Sequence, residues 1–130
     1  MDKKIFKVLI VEDEPDIAQA LASFLPKKLN VAASIAVDGI EAVKMARELE
    51  PDLIFLDIHL PGEMGANVLR QIRDFDTHVK IVITTGIFVV PEEDEEVILG
   101  QTSGYLVKPV KMDVIINKVV EELGLEVVRK

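Results

Sequence analysis

A chain of 130 residues that is 49% hydrophobic and 29% charged has the size and make-up of one compact, soluble domain with a real core. Its formal net charge of −8, with no basic stripe, argues against direct nucleic-acid binding and against an anionic lipid surface. The absence of cysteine removes disulfides, thiolate nucleophiles and cysteine-ligated zinc from consideration.

In chain order, Ile5 to Val11 reads as a buried strand, short, apolar and β-branched. It follows Met1-Asp2-Lys3-Lys4 and makes a poor signal peptide, its apolar region being short and without a small-residue cleavage site. No run along the chain is long enough to cross a bilayer, so a cytoplasmic location is expected. Pro15 to Lys28 reads as a helix, with Ile17, Ala18, Leu21, Ala22 and Leu25 at helical spacing and Pro26 disturbing its last turn. Val31 to Val37 is a second strand. Asp38 is placed to cap a helix from Ile40 to Leu49, whose buried stripe is expected to be Ile40, Val43, Met45, Ala46 and Leu49.

The apolar run Leu53-Ile54-Phe55-Leu56 ends abruptly at Asp57. A loop with Pro61, Gly62 and Gly65 precedes a helix to about Arg73, and Val79 to Thr84 is a further strand, broken by Gly86. The acid-rich stretch from Glu92 to Glu96 opens a helix that stops near Gly100. Tyr105 to Val107 is the last strand and Asp113 to Leu123 the last helix, with Gly124 as its C-cap and a tail from about residue 125 to 130. Five strands alternating with helices, and strands apolar on both faces, imply a parallel sheet covered on each side, with no repeat or interdomain linker.

Ligands of open parallel sheets bind beyond the carboxyl ends of the strands. Glu12 and Asp13 stand there after the first strand, Asp57 after the third, Thr84 and Thr85 after the fourth, and Lys108 after the fifth. Three carboxylates gathered together repel one another, and a cation relieves them. Their hard oxygens suit Mg²⁺ or Mn²⁺, and Mg²⁺ shares its shell with phosphate oxygens and water. A carboxylate can itself accept a phosphoryl group, with the cation and an ammonium offsetting charge on the transferring oxygens. Each residue also has a plain structural reading. Glu12 and Asp13 favour the start of the next helix, Thr84 and Thr85 are good strand formers, and Lys108-Pro109 suits a turn. The conjunction at one sheet end favours the chemical reading.

Four motifs carry a family resemblance: Val-Glu-Asp-Glu-Pro at 11–15, Asp-Ile-His-Leu-Pro-Gly-Glu-Met-Gly at 57–65, Ile-Thr-Thr-Gly at 83–86 and Gly-Tyr-Leu-Val-Lys-Pro at 104–109. In this order they resemble the receiver domains of bacterial two-component response regulators, including the stand-alone chemotaxis type. The resemblance implies a flavodoxin-like, doubly wound five-stranded parallel sheet of order 2-1-3-4-5 flanked by five helices, with residues 1–130 as a single receiver domain. It implies that Asp57 is the phosphoacceptor and that Glu12, Asp13, Asp57 and the backbone carbonyl of His59 hold the metal. Thr85 and Lys108 then assist at the phosphoryl group, Lys108-Pro109 is cis, and Thr85 and Tyr105 form the switch. Without the resemblance, Tyr105 would be read as a packing residue at a strand start.

The function implied is a switch, not an enzyme with a separate substrate. A sensor histidine kinase or phosphotransfer protein delivers the phosphoryl group. A downstream effector then reads the face of helix four, strand five and helix five, with dimerisation as a further option. Alternatives are a receiver cut from a larger regulator with an output domain, and an interaction module that works without phosphorylation. One departure from the family pattern is Ile87-Phe88-Val89-Val90, apolar where polar residues are more common. It is expected to pack into the core or to form a partner surface. Ile87 is expected to limit water access to the phosphoryl group.

Overall fold

The structure, a computed structural model, describes residues 4–86 and 92–125. The expectations placed on Ile87, Phe88, Val89 and Val90, and on the tail beyond residue 125, lie outside the described residues.

The chain runs β1 (Phe6–Val11), α1 (Pro15–Lys28), β2 (Val31–Ala36), α2 (Gly39–Leu49), β3 (Leu53–Asp57), β4 (His59–Leu60), β5 (Glu63–Met64), α3 (Gly65–Phe75), β6 (Lys80–Thr85), α4 (Glu92–Gln101), β7 (Gly104–Val107) and α5 (Met112–Leu123). The main sheet has the order β2-β1-β3-β6-β7, and every neighbouring pair is parallel. Counted over these five strands alone, that is the expected order 2-1-3-4-5. The two short strands β4 and β5 pair with each other as an antiparallel hairpin where the sequence suggested only a loop.

Alternation along the strands divides the core in two. Leu9, Val11, Ile54, Leu56, Ile81 and Ile83 face the α2–α3–α4 side. Val8, Ile10, Leu53, Phe55 and Val82 face α1 and α5, where they meet Leu25, Ile115 and Val119. All five residues of β3 are buried. Each fully buried Leu, Ile or Phe contributes roughly 1.5–3 kcal/mol, so the four residues before Asp57 fix its place firmly.

Two helix ends behave as expected. The Asp38 carboxylate accepts the Glu41 backbone N–H at 2.8 Å, capping α2. Gly124 ends α5 with φ 65° and ψ 41°, a left-handed conformation that glycine adopts without strain. The buried stripe of α2 departs from expectation at its first residue. Ile40 is 80% exposed, whereas Ala46 is buried as expected, Val43 and Met45 pack partly buried against the core, and Ala42, outside the expected stripe, is buried too. The alanines let α2 lie close on the sheet, and Ile40, one residue into the helix, points off that contact. α1 spans Pro15–Lys28 as expected, with Pro26 inside its last turn.

Candidate functional site

Strand order decides which side chains meet. β1 and β3 are neighbours, and β3 pairs with β6, with Asp57 in register with Thr84. Glu12 directly follows β1 and stays at the sheet end because its N–H donates to the Ala36 carbonyl at 3.0 Å. Lys108 directly follows β7, and its N–H donates to the Thr85 carbonyl at 2.7 Å. The Lys108–Pro109 bond is cis. Residues 96 positions apart thus meet: Lys108 Nζ donates to Glu12 Oε1 at 2.5 Å and to Asp57 Oδ2 at 2.9 Å.

Glu12 and Asp57 are buried, at 3% and 4% exposure. The second oxygen of Asp57, Oδ1, accepts the His59 backbone N–H at 3.0 Å. Glu12 Oε2 accepts the Glu14 N–H at 3.4 Å. Asp13 is the most solvent-accessible of the three acids, yet Glu12, Asp13 and Asp57 each bring a carboxylate oxygen to within 4.8 Å of the others. A cation with ligand oxygens about 2.1 Å away spans oxygens up to about 4.2 Å apart. Three carboxylate oxygens gathered this closely could share one hard cation.

Burial and the neighbouring Asp57 charge push the Glu12 carboxyl above its ordinary range, and Lys108 only partly offsets this. Burial disfavours the Lys108 ammonium, but the hydrogen bonds and charges of Glu12 and Asp57 outweigh it and raise the lysine. One ammonium serves more than one acid, so it is held charged while Glu12 stays crowded.

The two threonines point to opposite faces, as strand alternation requires. Thr84 lines an apolar cavity of about 440 Å³ beside the site, together with Glu12, Lys108, Ile17 and Phe55. Thr85, 0% exposed, points to the α2–α3–α4 face. Tyr105 is on that same face of the adjacent strand, in register with Ile83 and so two residues along from Thr85. The tyrosine is 46% exposed.

Three contributors were not evident from sequence. A Cβ on Gly65 would lie 2.5 Å from Ile58 Cα and 2.9 Å from the Asp57 carbonyl. Its N–H donates to the Ile58 carbonyl at 2.7 Å, so this glycine sets the turn that follows the acid. The β4–β5 hairpin presents His59 to Asp57 through its backbone. Arg70 of α3 pairs with the buried Asp94 of α4 at 2.5 Å and ties α4 down across 24 positions. Only Gly65 left a sequence signal, as a glycine at the start of a helix.

Fold and site together define a receiver, and the comparisons agree. The family profile of the response regulator receiver domain matches residues 8–120, so the chain belongs to that family. It is a two-component signalling domain rather than an enzyme acting on a separate substrate. The DNA-binding response regulator MtrA of Mycolicibacterium smegmatis is 34% identical over 122 residues, which are 92% of this chain and 51% of that protein. The chain thus spans about half the length of that relative. The chemotaxis protein CheY of Halobacterium salinarum is 31% identical over 103 residues, 79% of this chain and 84% of that protein. Among solved structures, the response regulator TrrA of Thermotoga maritima in complex with Mg(2+)-BeF superposes with a TM-score of 0.78 at 29% identity, covering 91% of this chain and 99% of that one. A CheY-like receiver domain from Methanospirillum hungatei reaches 0.83 at 23% identity over 93% and 95%, a likeness of fold.

No helix among the described residues is long and apolar enough to cross a membrane.

Proposed function

We propose that the chain is a phosphorylation-controlled switch in which Asp57 accepts a phosphoryl group and thereby changes what the domain binds. The observation that carries this reading is the setting of Asp57. It is a buried carboxylate at the end of the central strand, 2.9 Å from the Lys108 ammonium and clustered with two further acids.

The donor is a phosphohistidine on a sensor histidine kinase or phosphotransfer protein. An Asp57 oxygen attacks phosphorus, the P–N bond breaks, and its electron pair returns to the imidazole nitrogen. Lys108, held by its backbone to Thr85, offsets charge on the transferred oxygens, and the Thr85 hydroxyl supplies a further hydrogen bond. Glu12, Asp13 and Asp57, with the backbone carbonyl of His59, would hold Mg²⁺ or Mn²⁺. Such an ion, when bound, neutralises charge on the phosphoryl oxygens. The Mg(2+)-BeF complex of TrrA supports the same ion chemistry here.

Drawing Thr85 toward the phosphoryl group shifts the population of Tyr105 between outward and inward positions. The effector reads the face of α4, β7 and α5, where Tyr105, Val107 and Val114 are exposed at 46%, 52% and 40%. Their exposure supports a protein partner there.

Incubation with acetyl phosphate and Mg²⁺, followed by intact mass measurement, tests the proposal. The parent is expected to gain one phosphoryl group and Asp57→Asn none. No adduct on the parent from acetyl phosphate or any cognate kinase would leave an interaction module that works without phosphorylation.

A further inference from the structure

The two edges of the main sheet are unlike. β7 is four residues long and runs directly into Lys108 and Pro109. β2 is six residues long, Val-Ala-Ala-Ser-Ile-Ala, and among the described residues has no other strand on its outer side. No charged residue and no proline occur between Val31 and Val37. Natural edge strands are commonly blunted by lysine, proline, a bulge or short length, since a free edge is a template for another strand. β2 has none of these.

The register shows which backbone groups are on offer. Asn30 and Ala36 accept from Phe6 and Glu12 through their carbonyls, so the even-numbered residues of β2 turn their backbone toward β1. Alternation directs the backbone of Val31, Ala33 and Ile35 outward. The Val31 N–H donates to the Leu29 carbonyl at 2.9 Å. That leaves the Val31 carbonyl and both groups of Ala33 and Ile35 along the edge.

We infer that β2 is a self-association edge, pairing antiparallel with β2 of a second copy about a twofold axis through Ala33. In that register Ala33 faces Ala33 and exchanges both hydrogen bonds, while the Ile35 N–H reaches the Val31 carbonyl of the other copy. The small alanines permit close approach, and the Val31–Ile35 pairs extend an apolar strip across the seam. Charge favours a second copy of this chain in this orientation. Lys27 and Lys28 end α1 just before β2, and Asp38 follows just after it. Antiparallel pairing brings the basic end of each copy to the acidic end of the other. The contact joins two sheets without covering Asp57, whose strand is separated from β2 by β1.

Because the chain has no cysteine, single-cysteine variants report the seam directly. Sedimentation velocity over a concentration series at about 0.15 M salt, where the Debye length is about 8 Å, should show the parent passing from monomer to dimer. Ala33→Lys should weaken that association by about tenfold or more, as a lysine placed against itself on an edge strand does. Under mild oxidation Ala33→Cys should form a covalent dimer, while Val107→Cys, exposed at the opposite edge, should not. Circular dichroism verifies that each variant is folded. A parent that remains monomeric throughout overturns the inference, and so does cross-linking through Val107→Cys in preference to Ala33→Cys. Asp57→Asn should dimerise like the parent, so this result stands or falls apart from phosphoryl transfer.

Discussion

At the amino end of the main sheet, aspartates hold backbone. Asp52 Oδ2 accepts the Lys7 N–H at 2.8 Å, and Asp76 Oδ1 accepts the N–H groups of His78 and Val79 at 2.9 and 3.0 Å. The nearby Arg73 is satisfied by the carbonyls of Gln101 and Asp76. At the carboxyl end, Glu12, Asp13 and Asp57 turn toward one another, and Glu12 and Asp57 share a single lysine. The same residue types therefore do two jobs. Acids kept apart serve the fold, whereas acids set against each other, although Glu12 and Asp57 each also accept a backbone N–H, crowd like charge that a cation can relieve. A cleft alone does not mark such a site. The groove of about 760 Å³ at the amino end, lined by Arg70, Arg73 and Lys80, brings no such set of acids together.

The contrast can be broken most forcefully at Gly65. Gly65→Ala drives a methyl group into Ile58 and the Asp57 carbonyl, and should lower stability by about 2–3 kcal/mol, as overpacking against backbone does. Urea unfolding measures this, and phosphoryl uptake from acetyl phosphate should fall with it. An unchanged unfolding midpoint would mean that the close approach is no constraint.

A second experiment sharpens the contrast through pH. The raised Glu12 pKa means that the folded protein keeps a proton the unfolded chain has lost, so this group's contribution to stability declines as pH rises through that window. Lys108, also raised, contributes fully below the ordinary lysine pKa and loses its contribution only as pH climbs through its higher folded value. Mg²⁺ competes with the Glu12 proton and not with that alkaline step. At a fixed concentration of ten times its Kd at pH 8, Mg²⁺ should stabilise the protein there by about 1.4 kcal/mol. The gain should be larger near pH 8 than near pH 5, both far below the lysine range of about 10. Equal shifts of the melting temperature at the two pH values would detach Glu12 from the cation.

The smallest effect comes from exchanging the roles of the ends. Asp76→Ala should lose about 1 kcal/mol, the usual worth of lost side-chain hydrogen bonds, with phosphoryl uptake intact. Asp57→Asn should abolish uptake yet unfold no earlier than the parent, because it relieves one of the crowded acids. A large stability loss in Asp57→Asn would place this acid with those that serve the fold.

Much of this was legible in the sequence because it depends on local pattern. Apolar runs ending in Glu12, Asp57 and Lys108 gave both the strands and the edge on which the acids gather. Asp38 and Gly124 acted through cap chemistry that spans a few residues. Ile40 misled because helical spacing fits more than one stripe, and the closeness of α2 to the sheet chose the alanines. The hairpin at His59 and Met64 depends on only two residue pairs and carries too short an alternation to be seen. The Arg70–Asp94 pair joins separate helices, and no periodicity links such positions. The meeting of Lys108 with Glu12 and Asp57 followed only once the strand order was assumed.

Lys108 has a mechanical consequence as well. Its backbone hangs from β6 at the Thr85 carbonyl, it terminates β7, and its ammonium grips Glu12 beyond β1 and Asp57 on β3. Glu12 in turn is tied to β2 through Ala36. All five strands of the main sheet thus converge on one node, like stays on a mast. A hydrogen bond lost at one carboxylate oxygen would therefore loosen the residue that ends the outer strand.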